Sequence, residues 1–248
     1  MSAFSDFVAA FHAHRLIDPN RCVELGVEER LDELPDPSLA AGAAQVASAE
    51  TLLERARELD RGGLDFDACL DLDLASRLLE REIHDGTYTF NGRTTRQQLP
   101  TAGDDIAGGL FTLFINDPRP PEERLANITA RLEMVPDYLD ALVRRLKTPV
   151  RRWVAIDREK VEGLPSLFAE LRGWGESVGY ADLSRFEAAR GKAEGALKMY
   201  LDHLSQLDAP KLHDASARRL SHVDALRGLE LGEVVEIHLQ GAFGLPSS

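Results

Sequence analysis

Aromatic, sulfur-bearing and continuously apolar stretches are all scarce in this chain, and each shortage removes a class of protein. Only 6% of the 248 residues are aromatic, and cysteines are two, Cys22 and Cys69. The cysteines are far apart and outside any CxxC, which excludes a disulfide scaffold and a thiolate metal knuckle. They read as idle thiols in a reducing cytosol. The start, MSAFSDFVAAFHAHR, lacks a basic flank followed by an apolar run, so neither export nor anchoring is expected. No segment approaches the roughly 20 apolar residues that a membrane span requires. Positive charge is short too: 29 Lys and Arg face 42 Asp and Glu, a net charge of −13. Such a surface repels phosphates, which argues against nucleic acid or an anionic membrane as partner and fits a cytoplasmic protein.

Catalytic signatures are missing as well. A hydrolytic zinc site on a helix needs two histidines one turn apart, a glutamate base beside the first, and a further ligand downstream. The histidines stand at 12, 14, 84, 203, 213, 222 and 238. No two are four residues apart and none opens an HExxH. His12 and His14, two apart, point to different faces of a helix. Glu236 and His238, with Gln240 and Gly241 nearby, make an improbable ligand set, and His238 reads as a packed or surface histidine. No GxSxG opens a nucleophile elbow between a strand and a helix, and GxxxxGK[ST] and a strand-borne GxGxxG are absent. The acid-rich run at 65–74, DFDACLDLDL, superficially resembles a calcium loop, but Leu70 and Ser76 stand where such a loop needs Gly and Glu. No catalytic, cofactor-binding or metal residue is therefore assigned, and no cofactor is expected.

What the chain does have is helical periodicity almost throughout. Phe4, Phe7, Val8 and Phe11 share a face of a first helix that Pro19 is expected to stop. Ser38 is placed to cap a helix through Leu59, ended by Gly62 and Gly63. The alternation at 65–74 mimics a strand, yet Leu74, Leu78, Leu79 and Ile83 restore helical spacing, so the stretch is read as helix. Residues 88–100 form a polar loop or short hairpin, followed by an apolar helix near 106–114. Pro120 and Pro121 open a long helix that Pro136 should kink or split. Two helices are expected at 150–161 and 164–174, with Gly173, Gly175 and Gly179 as terminators. Asp182 caps a last amphipath carrying Leu183, Phe186, Ala193, Leu197, Tyr200, Leu201 and Leu204, on which Gly191 and Gly195 suggest close helix packing. Arg144, Arg145, Lys147, Arg151 and Arg152 form a basic patch read as complementing a helix C-terminus and the acidic N-terminal helices. The fold expected is all-α: eight to ten helices in an antiparallel array, one domain over residues 1–248.

The segment 121–153, PEERLANITARLEMVPDYLDALVRRLKTPVRRW, with Arg-Leu at 124/125 and 131/132, Pro136, Pro149 and Trp153, resembles the signature stretch of a bacterial family known as domain of unknown function 885. LPDPSLAAGAAQ, LDLDLASRLLE, RLANITARLEMVPDYLDAL, KAEGALKMYLDHL and LRGLELGEVVEIH resemble the same family in the same order, with Gly232 where a helix cap is usual. The resemblance implies the N-terminal half of a helical fold similar to zinc carboxypeptidases. The histidine–glutamate zinc box of the family's second half has no matching positions, so none of its ligands carries over. It implies a non-catalytic, truncated helical module, or alternatively one half of a split zinc-dependent peptidase. Either would expose an apolar stripe, expected on Leu197, Leu201, Leu204, Val234 and Ile237, through which a homodimer or the missing half would be a partner.

Overall fold

The computed structural model describes residues 2–207, in which nine α-helices and one two-residue-per-strand hairpin follow one another: α1 Ala3–Arg15, α2 Pro19–Glu24, α3 Leu39–Glu58, α4 Phe66–Thr87, β1 Thr89–Phe90, β2 Arg93–Thr94, α5 Thr95–Gln98, α6 Ala102–Ile115, α7 Pro121–Arg145, α8 Arg151–Val178 and α9 Leu183–Gln206. The all-α reading holds. Short polar side chains start the first helices. Ser2, Asp18, Ser38 and Asp65 each accept a backbone N–H from the first turn they precede, at 3.1, 2.9, 3.1 and 2.8 Å. Each such cap stabilises its helix by about 1 kcal/mol. Asp65 thus spends its carboxylate on Ala68, and the acid-apolar alternation that follows is the first turns of α4.

Two cores organise the helices. The first packs Phe7 of α1 against Ala49, Leu52, Leu53 and Ala56 of α3 and Leu72, Ala75 and Leu79 of α4. Helices α3 and α4 run antiparallel, since Val46 meets Gly86 while Arg57 reaches Glu80. The second core joins α2 and α6–α9. Arg124 of α7 binds the carbonyl of Leu113, and Tyr138 binds Asp105, so α6 and α7 are antiparallel. Lys160 lies over Gly103 and Trp174 over Phe114, so α8 runs parallel to α6. Arg172 pairs with Glu187 and Arg158 with Ser205, which sets α9 antiparallel to α8.

Several expectations are corrected. Pro19 does not stop α1; it opens α2 at the first helical position, where its missing N–H costs nothing. Pro136 leaves α7 unsplit, flanked by the fully buried Leu132 and Val135. The helices expected at 150–161 and 164–174 are one, α8, which runs through Pro165, Gly173 and Gly175. Only Gly179 ends it, at φ 71° and ψ 39°, with Tyr180 N–H donating back to the carbonyl of Gly175 at 2.9 Å. Asp182 precedes α9 without a side-chain cap bond. Among the described residues nothing lies within 4 Å of where a Cβ at Gly191 or Gly195 would stand, so the close packing their spacing suggests is not found there. The polar segment after α4 is a hairpin turning through Asn91 and Gly92, both at positive φ, the pair that suits a type I′ turn.

The expected exposed stripe is also corrected over the part that falls within residues 2–207. Leu197 and Leu204 are each 2% exposed, covered by this bundle's own helices, and Leu201 is half-buried. Val234 and Ile237 lie outside the described residues, as do Gly232 and LRGLELGEVVEIH.

Candidate functional site

The chemistry buried in this bundle gathers at the N-terminal end of α6. The first turn of α6 carries no side-chain cap from its own N-cap, Thr101. Asp157 supplies the acceptor from α8 instead: Gly103 N–H donates to its Oδ1 at 2.9 Å, and the Tyr200 hydroxyl of α9 donates to its Oδ2 at 2.7 Å. One carboxylate therefore ties three helices together. Gly103 is required there, because a Cβ would stand 2.3 Å from the Cβ of Lys160.

A second carboxylate sits two residues further on. The hydroxyls of Tyr138 and Thr101 both donate to Asp105 Oδ2, the latter at 2.7 Å. Arg145, at the end of α7, donates to Thr101 Oγ1 and to the Leu99 carbonyl at 2.9 Å each, and to the Pro37 carbonyl at 3.3 Å. The sequence reading puts Arg145 in a surface patch; instead it is 5% exposed and braces the loop before α3 and the loop before α6. Burial raises the pKa of both Asp105 and Asp157 above the ordinary carboxylate range, against the lowering effect of their hydrogen bonds. Burial, and next the charge of the neighbouring aspartate, push Tyr138 and Tyr200 upward, so both remain hydroxyl donors. Burial lowers Arg145.

A third buried polar group is Arg131 of α7, 0% exposed. It donates to the Leu31 carbonyl and to Asn20 Oδ1 at 2.6 Å each, and to the Pro19 carbonyl at 3.3 Å. No carboxylate touches it, and desolvation lowers its pKa to about 10. Gly109 is the space it needs: a Cβ there would lie 1.9 Å from its Nη1.

These groups are engaged by neighbouring side chains and backbone carbonyls, so what they do chemically is hold helix ends and loops in register. The histidines behave likewise. His14 of α1 bonds Ser48 of α3 through Nδ1 at 3.0 Å and Glu82 of α4 through Nε2 at 3.1 Å. Burial alone would raise the Glu82 carboxyl, but the His14 hydrogen bond and the charges of His14 and Arg15 hold it below its ordinary value. His84 lies against Asp85 at 3.3 Å and stacks on Tyr88. His213, His222, Glu236, His238, Gln240 and Gly241 lie outside the described residues. Among the described residues no three His, Cys, Asp or Glu side chains are grouped to hold a metal ion. The zinc that the family resemblance implies therefore finds no fitting donor set there. Cys22 and Cys69 are free thiols, and Cys22 is buried. No helix among the described residues is long and apolar enough to cross a membrane.

Reading apolar spacing alone misses Asp105, Arg131, Tyr138 and Asp157, and places Tyr200 on its buried face without its carboxylate partner. The available signal is a polar side chain standing on an apolar stripe. Arg131 falls between Ile128 and Leu132 and Val135, and Asp157 between Val154 and Val161.

Comparison with known proteins agrees with this architecture. The family described as "Bacterial protein of unknown function (DUF885)" matches residues 19–225. No curated protein matches the chain. A solved structure described as "a putative lipoprotein of unknown function from Shewanella oneidensis" is similar in fold at 20% sequence identity, with a TM-score of 0.72. The match covers 83% of this chain and 37% of that one, so the chain spans little more than a third of its neighbour's length.

Proposed function

We propose, from the premise that the chain belongs to the bacterial DUF885 family, that its described residues act as a non-catalytic helical module. In this reading the module presents a rigid surface to a partner and carries out no chemistry of its own. The observation that supports it is the commitment of the buried polar groups. Asp105, Asp157, Tyr138, Tyr200, Arg131 and Arg145 all bond to neighbouring helices or loops. The partner is a second copy or a further helical part of the kind that a longer relative carries. The free thiols of Cys22 and Cys69 suit a cytoplasmic protein.

A second reading is favoured by the neighbour's greater length, of which this chain covers 37%. There the module is one half of a split zinc-dependent peptidase, completed by a separately supplied zinc-bearing half. Elemental analysis of the purified chain separates the readings from a self-sufficient enzyme. The expected result is less than a tenth of a zinc per chain and no peptide cleavage alone. One tightly held zinc per chain, removed by substituting His222 or His238, would overturn the module reading. Peptidase activity that appears only on adding a zinc-binding helical half from a family member would favour the split enzyme.

A further inference from the structure

At one corner of this acidic protein exposed cations gather that no carboxylate among the described residues neutralises. Arg144 lies in the last turn of α7, Lys147 just past its C-cap, and Arg151 and Arg152 open α8; all four are exposed. None of the four forms an ion pair among the described residues, and the Lys147 ammonium reaches only the Arg144 carbonyl, at 3.1 Å. The corner is held in place by backbone. Lys147 N–H donates to Gln97 at 3.0 Å and Val150 N–H to Gln98 at 3.4 Å, which pins the α7–α8 turn to α5. Ile156, one turn beyond Arg152, is 39% exposed beside it.

The counterpart is on the same chain. On the outer face of α4, Phe66 is 80% exposed and Leu70 38% exposed. Asp67 and Asp71 stand next to them, exposed and without an ion pair among the described residues. Spaced i, i+1, i+4 and i+5, these four form one patch on the helix: an aromatic and a leucine side by side with two carboxylates. A bulky phenylalanine left in water at the first turn of a helix is not part of either core. Its charged neighbours are opposite in sign to the cationic corner, where an apolar side chain, Ile156, is also exposed.

We propose that the α4 patch of one copy docks on the α7–α8 corner of a second copy. Asp67 and Asp71 would lie against Arg151 and Arg152, with Phe66 against the apolar surface beside Ile156. The contact is heterologous, since two different surfaces meet. This rests on the module reading above and names its partner, in place of the α9 stripe that the fold covers itself. Charge-driven association is screened by salt over about 10 Å at 0.1 M, and juxtaposed like charges oppose it.

The test is sedimentation of the intact chain at 50 and 500 mM salt, with R151E/R152E, D67K/D71K, their combination and Phe66→Ser. The substituted side chains are exposed, and circular dichroism checks that each variant keeps its helices. Expected is self-association at low salt, weakened at least tenfold at high salt and in each charge-reversed pair, weakened by Phe66→Ser, and restored when both reversals are combined. A chain that stays monomeric at 200 µM and low salt overturns the contact. So does association that ignores salt or is undiminished by each reversal made singly, which would place the interface elsewhere, and so does a combined variant that fails to recover. Each of these leaves the module reading to its own zinc measurement, which does not depend on oligomeric state.

Discussion

Replacing Asp157 tests whether its carboxylate at the start of α6 is what holds α6, α8 and α9 together. Asp157→Ala removes the acceptor of two buried donors, the Gly103 N–H and the Tyr200 hydroxyl. Each orphaned donor costs roughly 1–3 kcal/mol, so the loss is about 2–6 kcal/mol, a large share of the ~5–15 kcal/mol that separates folded from unfolded proteins. Asp157→Asn keeps an oxygen for Gly103 and offers an amide N–H to Tyr200, whose oxygen can accept it. It should cost less than about 1 kcal/mol near neutral pH. The two variants also differ in pH dependence. Burial raises the Asp157 pKa in the folded protein above its unfolded value of 3.8. The folded state thus holds its proton more tightly, and the stabilisation is complete below the unfolded pKa and lost as pH rises through the folded one. Asparagine cannot ionise, so the urea midpoint of Asp157→Asn should gain on the natural chain as pH climbs from about 4 to 7. The remaining carboxylates are common to both chains and cancel in that difference. Parallel midpoints across this range would refute the buried, raised carboxylate. An Asp157→Ala variant as stable as Asp157→Asn would refute the hydrogen bonds.

Gly191 and Gly195 lie within α9, and among the described residues nothing stands within 4 Å of where an added methyl group would be, so Gly191→Ala and Gly195→Ala should each stabilise by about 0.5–1 kcal/mol through lost unfolded-state freedom. A fall in melting temperature would restore the close-packing reading. Arg131→Lys keeps the charge but replaces a planar fork by a single point, and three acceptors at 2.6–3.3 Å cannot all be met. It should lose about 2 kcal/mol in urea unfolding, and an unchanged midpoint would show that the fork is dispensable.

Local signals were legible where one residue decides one event. Ser38 caps the helix it precedes, as its position suggests. Asp65, by contrast, whose acid spacing offers it as the start of a calcium loop, is the cap of α4, and the polarity of 88–100 does not single out the turn at Asn91-Gly92. The long leucine-bearing stretches became helices because spacing of three and four buries one face, as Leu125, Ile128, Leu132, Val135, Leu139 and Leu142 do on α7. Where two rules competed, the sequence misled. Pro165 and Gly173 are helix breakers in isolation, yet α8 continues through both because Val161, Leu164, Phe168 and Leu171 are buried on a continuous face; tertiary packing outweighs a local cost of about 3 kcal/mol. Gly191 and Gly195 have a spacing that suits close contact, but spacing cannot say which face of α9 the neighbours occupy. The polar core escaped for a different reason. Asp105 and Tyr138 are 33 residues apart, and Asp157 and Tyr200 43, and no one-dimensional pattern links such partners.

The long-range bonds explain how a bundle built from interchangeable aliphatic faces has a single arrangement. Leucine stripes on four long helices pack almost as well after one helix slides a turn along another, a shift of about 5.4 Å. The hydrogen bonds do not survive that shift. Moving α9 by one turn takes the Tyr200 hydroxyl from 2.7 Å to well beyond bonding distance of Asp157, and moving α6 takes Gly103 from Asp157 and Asp105 from Tyr138 together. Each displaced group would be a buried polar atom without a partner, which is costly in a low-dielectric interior. The apolar faces supply the driving force for collapse, and the carboxylate–hydroxyl pairs choose among the packings that collapse permits. A surface that must meet a partner needs this second quality more than extra stability, because the exposed side chains of α4 and of the α7–α8 turn keep a fixed geometry only if the helices beneath them cannot slide.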